Sequence, residues 1–148
     1  MSEVETISLE SVVENCSLSD VSVFELSARR GKVSPDTEEG EAVEPSYDLQ
    51  IDYRDADNGF RVRLITRFDT DLGVIVSDVG AEYVLDGIGA RSIPRDILLD
   101  FVNNVALMAL VPYVRQSIAD ITLRVFGSAL LMPMIRRGEI EFSEDNAD

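Results

Sequence analysis

The sequence predicts an α+β fold: a four-stranded antiparallel sheet with a long crossover after strand one, followed by a kinked pair of helices packed on it. Three observations carry this. Four strand-like stretches (18–26, 47–54, 60–68 and 74–85) all precede the only long helical signal, 91–127. Strands first and helices last is the α+β order, not the alternation of a parallel sheet. Tight, turn-forming loops join the last three strands into a meander, whereas residues 29–46 are too many for a hairpin.

The chain has 148 residues, enough for one domain with a real core. It divides by composition into an acidic N-terminal segment (1–16), a folded domain (17–142) and an acidic tail expected to be disordered (143–148). In the first segment, Ile7, Leu9, Val12 and Val13 are the scattered apolar positions, compatible with a short helix or with loose chain. The stretch 18–26, LSDVSVFEL, is rich in β-branched residues and reads as a strand. Its alternation slips once, because Val21 and Val23 share one parity while Phe24 and Leu26 share the other. A β-bulge reconciles them. Residues 29–46 hold two prolines, two glycines and five acids, a linker composition that suits a crossover.

The second and third strands alternate cleanly. Tyr47, Leu49, Ile51 and Tyr53 face one way, and Asp48, Gln50, Asp52 and Arg54 the other. Phe60, Val62, Leu64 and Phe68 oppose Arg61, Arg63, Ile65 and Arg67. Aspartates facing arginines predict favourable cross-strand pairs. Two registers are open: one sets Asp52 against Arg61, the other Asp52 against Arg63 and Asp48 against Arg67. The DADNG loop at 55–59 has hairpin chemistry. It also offers oxygen donors, but an EF-hand loop counted from Asp55 would place Phe60 at position six and Thr66 at position twelve, so the calcium pattern fails. In the fourth strand Ile75, Val79, Ala81, Tyr83 and Leu85 share a face opposite Val76, Asp78, Gly80 and Glu82. The Gly87–Ser92 stretch lacks the third glycine and the βαβ setting of a dinucleotide loop and reads as a strand-to-helix connection.

Pro94 near the start and Gly127 past the end bracket the helical region. Pro112 lacks an N–H and clashes with the carbonyl four residues back, which predicts a kink near Leu110–Pro112. Val105–Val111 is apolar all round, as in a helix buried on every side, which predicts that subunits associate to cover it. The uncharged run 101–114 is 14 residues and includes Asn103 and Asn104. It falls short of the ~20 needed to span a bilayer, so no membrane insertion is expected.

Net charge is −15, from 28 acids against 13 bases. That argues against nucleic acid as a partner and suits solubility or a basic partner. One cysteine, Cys16, permits no intrachain disulfide. The absence of histidine removes Ser–His and Cys–His catalysis and nearly every zinc arrangement, so neither enzymatic activity nor a cofactor is expected. The acidic N-terminus has no apolar segment of a secretion signal, which predicts a cytoplasmic protein.

With these elements in order, the chain resembles the SecB family of export chaperones. The specific match runs through Val76-Ser77-Asp78-Val79, similar to the acid-then-valine signature of the fourth strand. It continues through Val111-Pro112-Tyr113-Val114-Arg115, similar to the motif opening the family's long helix. It ends in the apolar 130–142 segment, and Ser19-Asp20-Val21-Ser22 resembles the first strand. The chain differs in having no tryptophan and an acidic tail in place of a full last helix. Solitary SecB-like chaperones, some linked to toxin–antitoxin pairs, fit such a variant. The resemblance implies ATP-independent holding of unfolded polypeptides or preproteins, for export or antitoxin protection, by a homotetramer (a dimer of dimers). The translocation motor or an antitoxin would be the further partner. It places client binding on Tyr47, Leu49 and Ile51, and partner binding on Asp20, Val76 and Asp78. The oligomer interface falls on Val105, Leu107, Leu110 and Tyr113. The alternative function is a non-catalytic oligomeric adaptor that binds one folded partner through its acidic sheet face.

Overall fold

A computed structural model describes residues 6–31 and 45–132. Most of the expected crossover, most of the 130–142 extension and the whole 143–148 tail lie outside the described residues. The elements run α1 (Leu9–Glu14), β1 (Cys16–Arg30), β2 (Ser46–Arg54), β3 (Gly59–Thr70), β4 (Gly73–Leu85), a 3₁₀ turn (Ala90–Ser92), α2 (Arg95–Phe101), a π-helical turn (Val102–Ala106) and α3 (Leu107–Phe126). The four strands form one sheet in the order β1-β4-β3-β2, antiparallel at every junction. This is the predicted α+β fold. β1 and β2 are opposite edges, three strand spacings or about 14 Å apart, so no hairpin pairs them.

Local chemistry explains each boundary. Ser8 caps α1 reciprocally: its hydroxyl accepts from the Ser11 N–H, and Ser11 Oγ accepts from the Ser8 N–H. Val12 is fully buried, so this short helix is part of the core. β1 is longer than its sequence signal and carries two register shifts, at Ser19 and at Phe24. The second is the expected parity slip. Between β2 and β3 the register sets Asp52 against Arg61 and Ile51 against Val62. Asn58 turns the hairpin in the left-handed region, φ 54°. Its amide then ties that turn to the β4–α2 connection, donating to the Leu85 and Ile88 carbonyls and accepting from the Ala90 N–H at 2.8 Å.

The core fills the sheet's inner face. Leu49 and Ile51, Phe60, Val62, Leu64 and Phe68, and Ile75, Val79, Ala81, Tyr83 and Leu85 meet Leu98, Phe101, Leu107, Leu110, Val114 and Ile118 of the helices. Phe60 stacks on Tyr83 at 5.4 Å, and both meet the Phe101 ring edge to face at 5.6 and 4.9 Å.

The helical region departs from the expected kink. The irregularity is the π turn at 102–106, which ends before α3 begins at Leu107, and α3 runs through Pro112 unbroken. Asn104 supplies a physical reason: its side-chain amide donates to the Asp100 carbonyl at 2.8 Å, serving an acceptor that a regular ladder would give to a backbone N–H. Pro112 is tolerated because it stands on the exposed side of α3, where water reaches the neighbouring carbonyls. Gly127 ends the helix as expected, in the left-handed conformation (φ 85°) with its N–H donated to Leu123 O. Residues 95–126 are long and apolar enough to cross a membrane by composition, but 56% of the most apolar window is buried inside the fold, as in a core helix.

Candidate functional site

The outer face of the sheet is a polar surface built on β2–β4. Arg63 forks onto Asp78, Nε to Oδ1 at 3.1 Å and Nη2 to Oδ2. Glu82 takes Arg61 through Oε1 at 2.8 Å and Arg54 through Oε2 at 2.6 Å. Hydrogen bonds from Arg61 above all, then from Arg54, hold the Glu82 carboxyl below its usual range, against the opposing effect of burial. The hydrogen-bonded carboxylate of Asp78 likewise raises the Arg63 guanidinium. Asp52 of β2 lies opposite Arg61, but Arg61 and Arg63 turn instead to the acids of β4.

The β1 bulge finishes this surface. It throws Phe24 onto the outer face, over Gly80, with the guanidinium carbons of Arg63 and Arg61 4.2 and 4.8 Å from the ring centre. A Cβ at position 80 would come within 2.7 Å of that ring, so the glycine makes the seat.

Each residue singled out from sequence now has a place. Asp20 and Val76 lie on the outer face, as expected. Asp20 is exposed and accepts from Ser22 Oγ at 3.0 Å, and Val76 is half-buried between Ser27 and Arg67. Asp78 does not fit an exposed acidic docking face: it is 7% exposed and committed to Arg63. Leu49 and Ile51 point into the core, 1% and 8% exposed, opposite Leu64 and Val62. They are structural residues, because on this strand the parity that looked free for clients is the one the helices cover. Tyr47, on the same parity, is half-buried at the core's margin. Leu107 and Leu110 are fully buried within the single chain, which corrects their placement at an oligomer interface. α3 lies across β1 and β4, and these two residues fall on its inward arc with Val114 and Ile118. Val105 is half-buried and Tyr113 is half-exposed on the outward side.

The uncovered apolar surface lies elsewhere. Among the described residues, five of the nine exposed large hydrophobic side chains fall between 13 and 26: Val13, Leu18, Val23, Phe24 and Leu26. Leu18, Val23 and Leu26 pair with Tyr83, Val79 and Ser77, so they share the sheet's inner face but lie at its edge, beyond the shelter of α3. Sequence reading missed them as a surface because their parity marks them as core. Only the strand order shows that β1 is an edge. On α3, Tyr113 and Leu123 extend the exposed apolar area. A 290 Å³ cleft beside α3 is lined by Pro112, Arg115, Gln116, Ala119, Leu131 and Met132. Cys16 is half-buried, and burial pushes its thiol up to about 11, away from nucleophilic use. Among the described residues no three His, Cys, Asp or Glu side chains converge on a metal site.

No protein-family model matches the chain. The SecB-like chaperone SmegB of Mycolicibacterium smegmatis is 24% identical over 136 residues, covering 92% of this chain and 86% of that protein. The Mycobacterium tuberculosis SecB-like chaperone Rv1957, solved in complex with a ChAD peptide from the HigA1 antitoxin, superposes with a TM-score of 0.72 at 16% identity. The match covers 86% of this chain and 96% of that one. The chain therefore has the SecB-like fold, and its sequence is similar to that of a SecB-like chaperone over nearly its whole length.

Proposed function

We propose that this protein is a cytoplasmic, non-enzymatic chaperone that holds unfolded polypeptide without ATP, in the service of export or of antitoxin protection, and that it works as a homotetramer. The observation that carries the reading is the run of exposed apolar side chains along the edge strand β1. An edge strand with uncovered apolar residues presents both unpaired backbone groups and apolar contact, which suits an extended chain or a second subunit. Apolar contacts tolerate many client sequences, and a net charge of −15 keeps a loaded complex soluble. The likeness to SecB-like chaperones, one of them solved with an antitoxin peptide, supports the same class.

The adaptor alternative is less well supported, since Asp78 and Glu82 are neutralised by arginines and the outer face is a mixed-charge surface. Motor docking, if it occurs on this face, would rest on Asp20 and Val76.

The test is suppression of aggregation of an unrelated unfolded protein in the absence of ATP. The wild type is expected to suppress it at near-stoichiometric concentration, with a tetramer mass by light scattering. Val23→Asp/Leu26→Asp is expected to keep the fold and lose suppression or assembly. A well-folded monomer without holding activity would overturn the proposal.

A further inference from the structure

Among the described residues, four buried side-chain polar atoms find no hydrogen-bond partner: Arg54 Nε, Thr66 Oγ1, Ser77 Oγ and the Tyr83 hydroxyl. Such atoms are uncommon, because each gives up its hydration without a replacement. Arg54 is served through its other nitrogens, by Asp57 and Glu82. Tyr83 shares its row of the sheet with Leu18 and Phe60, which offer no polar side chain. Thr66 and Ser77 differ. They are direct partners across β3 and β4, and both are 0% exposed.

Strand pairing defines their surroundings. Both share the inner-face parity of Leu64, Phe68, Ile75 and Val79, and their row runs Leu26, Ser77, Thr66, Tyr47 from β1 to β2. The rows on either side set Leu64 against Val79 and Phe68 against Ile75, all core residues. Two hydroxyls without partners therefore face each other in an otherwise apolar layer. Side chains directly opposite on antiparallel strands have Cβ atoms about 5 Å apart. A guest bonded to one hydroxyl is thus within reach of the other. Thr and Ser also supply less side-chain volume than the flanking rows, in a core that packs densely.

We propose that Thr66 and Ser77 hold one buried water between them, bonded to both hydroxyls and tying β3 to β4 beneath the helices. A neutral guest fits and an ion does not, because no charged side chain stands in this row or in the two beside it. A buried water takes two to four polar partners. The hydroxyls supply two, and a ladder carbonyl, which keeps a second lone pair, can supply a third. The proposal is independent of the chaperone reading, since it concerns the core alone.

The experiment measures magnetisation transfer from water to the isotope-labelled full chain by nuclear magnetic resonance. The wild type is expected to show cross-peaks from water to the Thr66 methyl and the Ser77 Hβ protons, with the sign of a long-lived bound water. Ser77→Ala is expected to remove the Thr66 peak, and Thr66→Val the Ser77 peak, because neither hydroxyl alone retains the water. Thr66→Ser keeps the hydroxyl and should keep the Ser77 peak. In urea, each of Thr66→Val and Ser77→Ala should lower the unfolding midpoint. The two together should restore it to near the wild-type value, because the stranded hydroxyl and the water leave together. Absence of both peaks from the wild type would overturn the proposal. So would a Thr66 peak that survives Ser77→Ala, the mark of a hydroxyl exchanging its own proton with solvent. Midpoint losses that simply add in the double variant would overturn it as well. A well-dispersed amide spectrum of each variant shows that a lost peak is a lost water in a folded chain.

Discussion

Asp78 and Glu82 show how one side chain's surroundings decide its role. Each is a carboxylate on the sheet's outer face, yet each is largely buried and satisfied by arginine. Removing one partner of such a pair strands the other, a loss larger than the pair's net worth. Asp78→Arg is expected to cost about 2–4 kcal/mol, because it removes the partner of Arg63 and sets a second guanidinium beside it. Urea unfolding measures it, and Asp20→Arg, at an exposed position, should stay within about 0.5 kcal/mol. Glu82 adds a pH signature. Its folded carboxyl lies below its unfolded value, so its stabilisation is complete above about pH 4.3 and is lost as pH falls through the folded value. The unfolding midpoint of the wild type should therefore drop more steeply between about pH 5 and 3 than that of Glu82→Gln.

At the scale of elements, the helix end is set by one backbone conformation. Gly127 sits at φ 85°, open to solvent, and closes α3 through its N–H. Gly127→Ala meets no clash but must adopt a left-handed conformation, so a loss of about 1 kcal/mol is expected in thermal unfolding. Leu130 should then lose order with it, because its bond to Thr122 depends on that turn. The β1 bulge is the other element-level device. Phe24 is one extra residue in the ladder, and Gly80, the partner of Ser22 on β4, leaves room for its ring.

For the whole molecule, the question is which apolar surface the single chain covers. Leu49 and Ile51 belong to the covered set, so Leu49→Ser/Ile51→Ser should abolish cooperative unfolding. Each truncation costs about 2–5 kcal/mol against a typical domain stability of about 5–15. A folded double variant with normal thermal unfolding would return these residues to the surface. The uncovered set, on β1 and the outward side of α3, is where assembly or client contact has apolar area to use. Charge is distributed unevenly too. Residues 1–5, 32–44 and 133–148 hold 12 acids against three bases, nine of the chain's fifteen net negative charges. The described fold is thus much nearer neutrality than the composition suggests.

The elements themselves were legible in the residues. Alternation marked β2, β3 and β4, because a sheet with one buried face imposes period two. Turn chemistry marked the 55–59 hairpin, and the parity slip at Phe24 marked a bulge. These signals are local, written by backbone geometry within a few residues. Sequence could not say how much apolar surface the chain's own helices cover, and that cover is what buries Leu49, Ile51, Leu107 and Leu110 within the single chain. It placed the helix irregularity at Pro112, where a proline on the solvent side costs little, and overlooked Asn104, whose side chain serves a carbonyl only once the turn exists. It paired the arginines of β3 with β2, because neighbouring strands in sequence were the pairs in view. The sheet order puts β4 on the other side of β3, with acids close enough to compete. Burial, ion-pair partners and edge status depend on contacts between residues far apart in the chain, and packing of α3 across β1 and β4 decided all three.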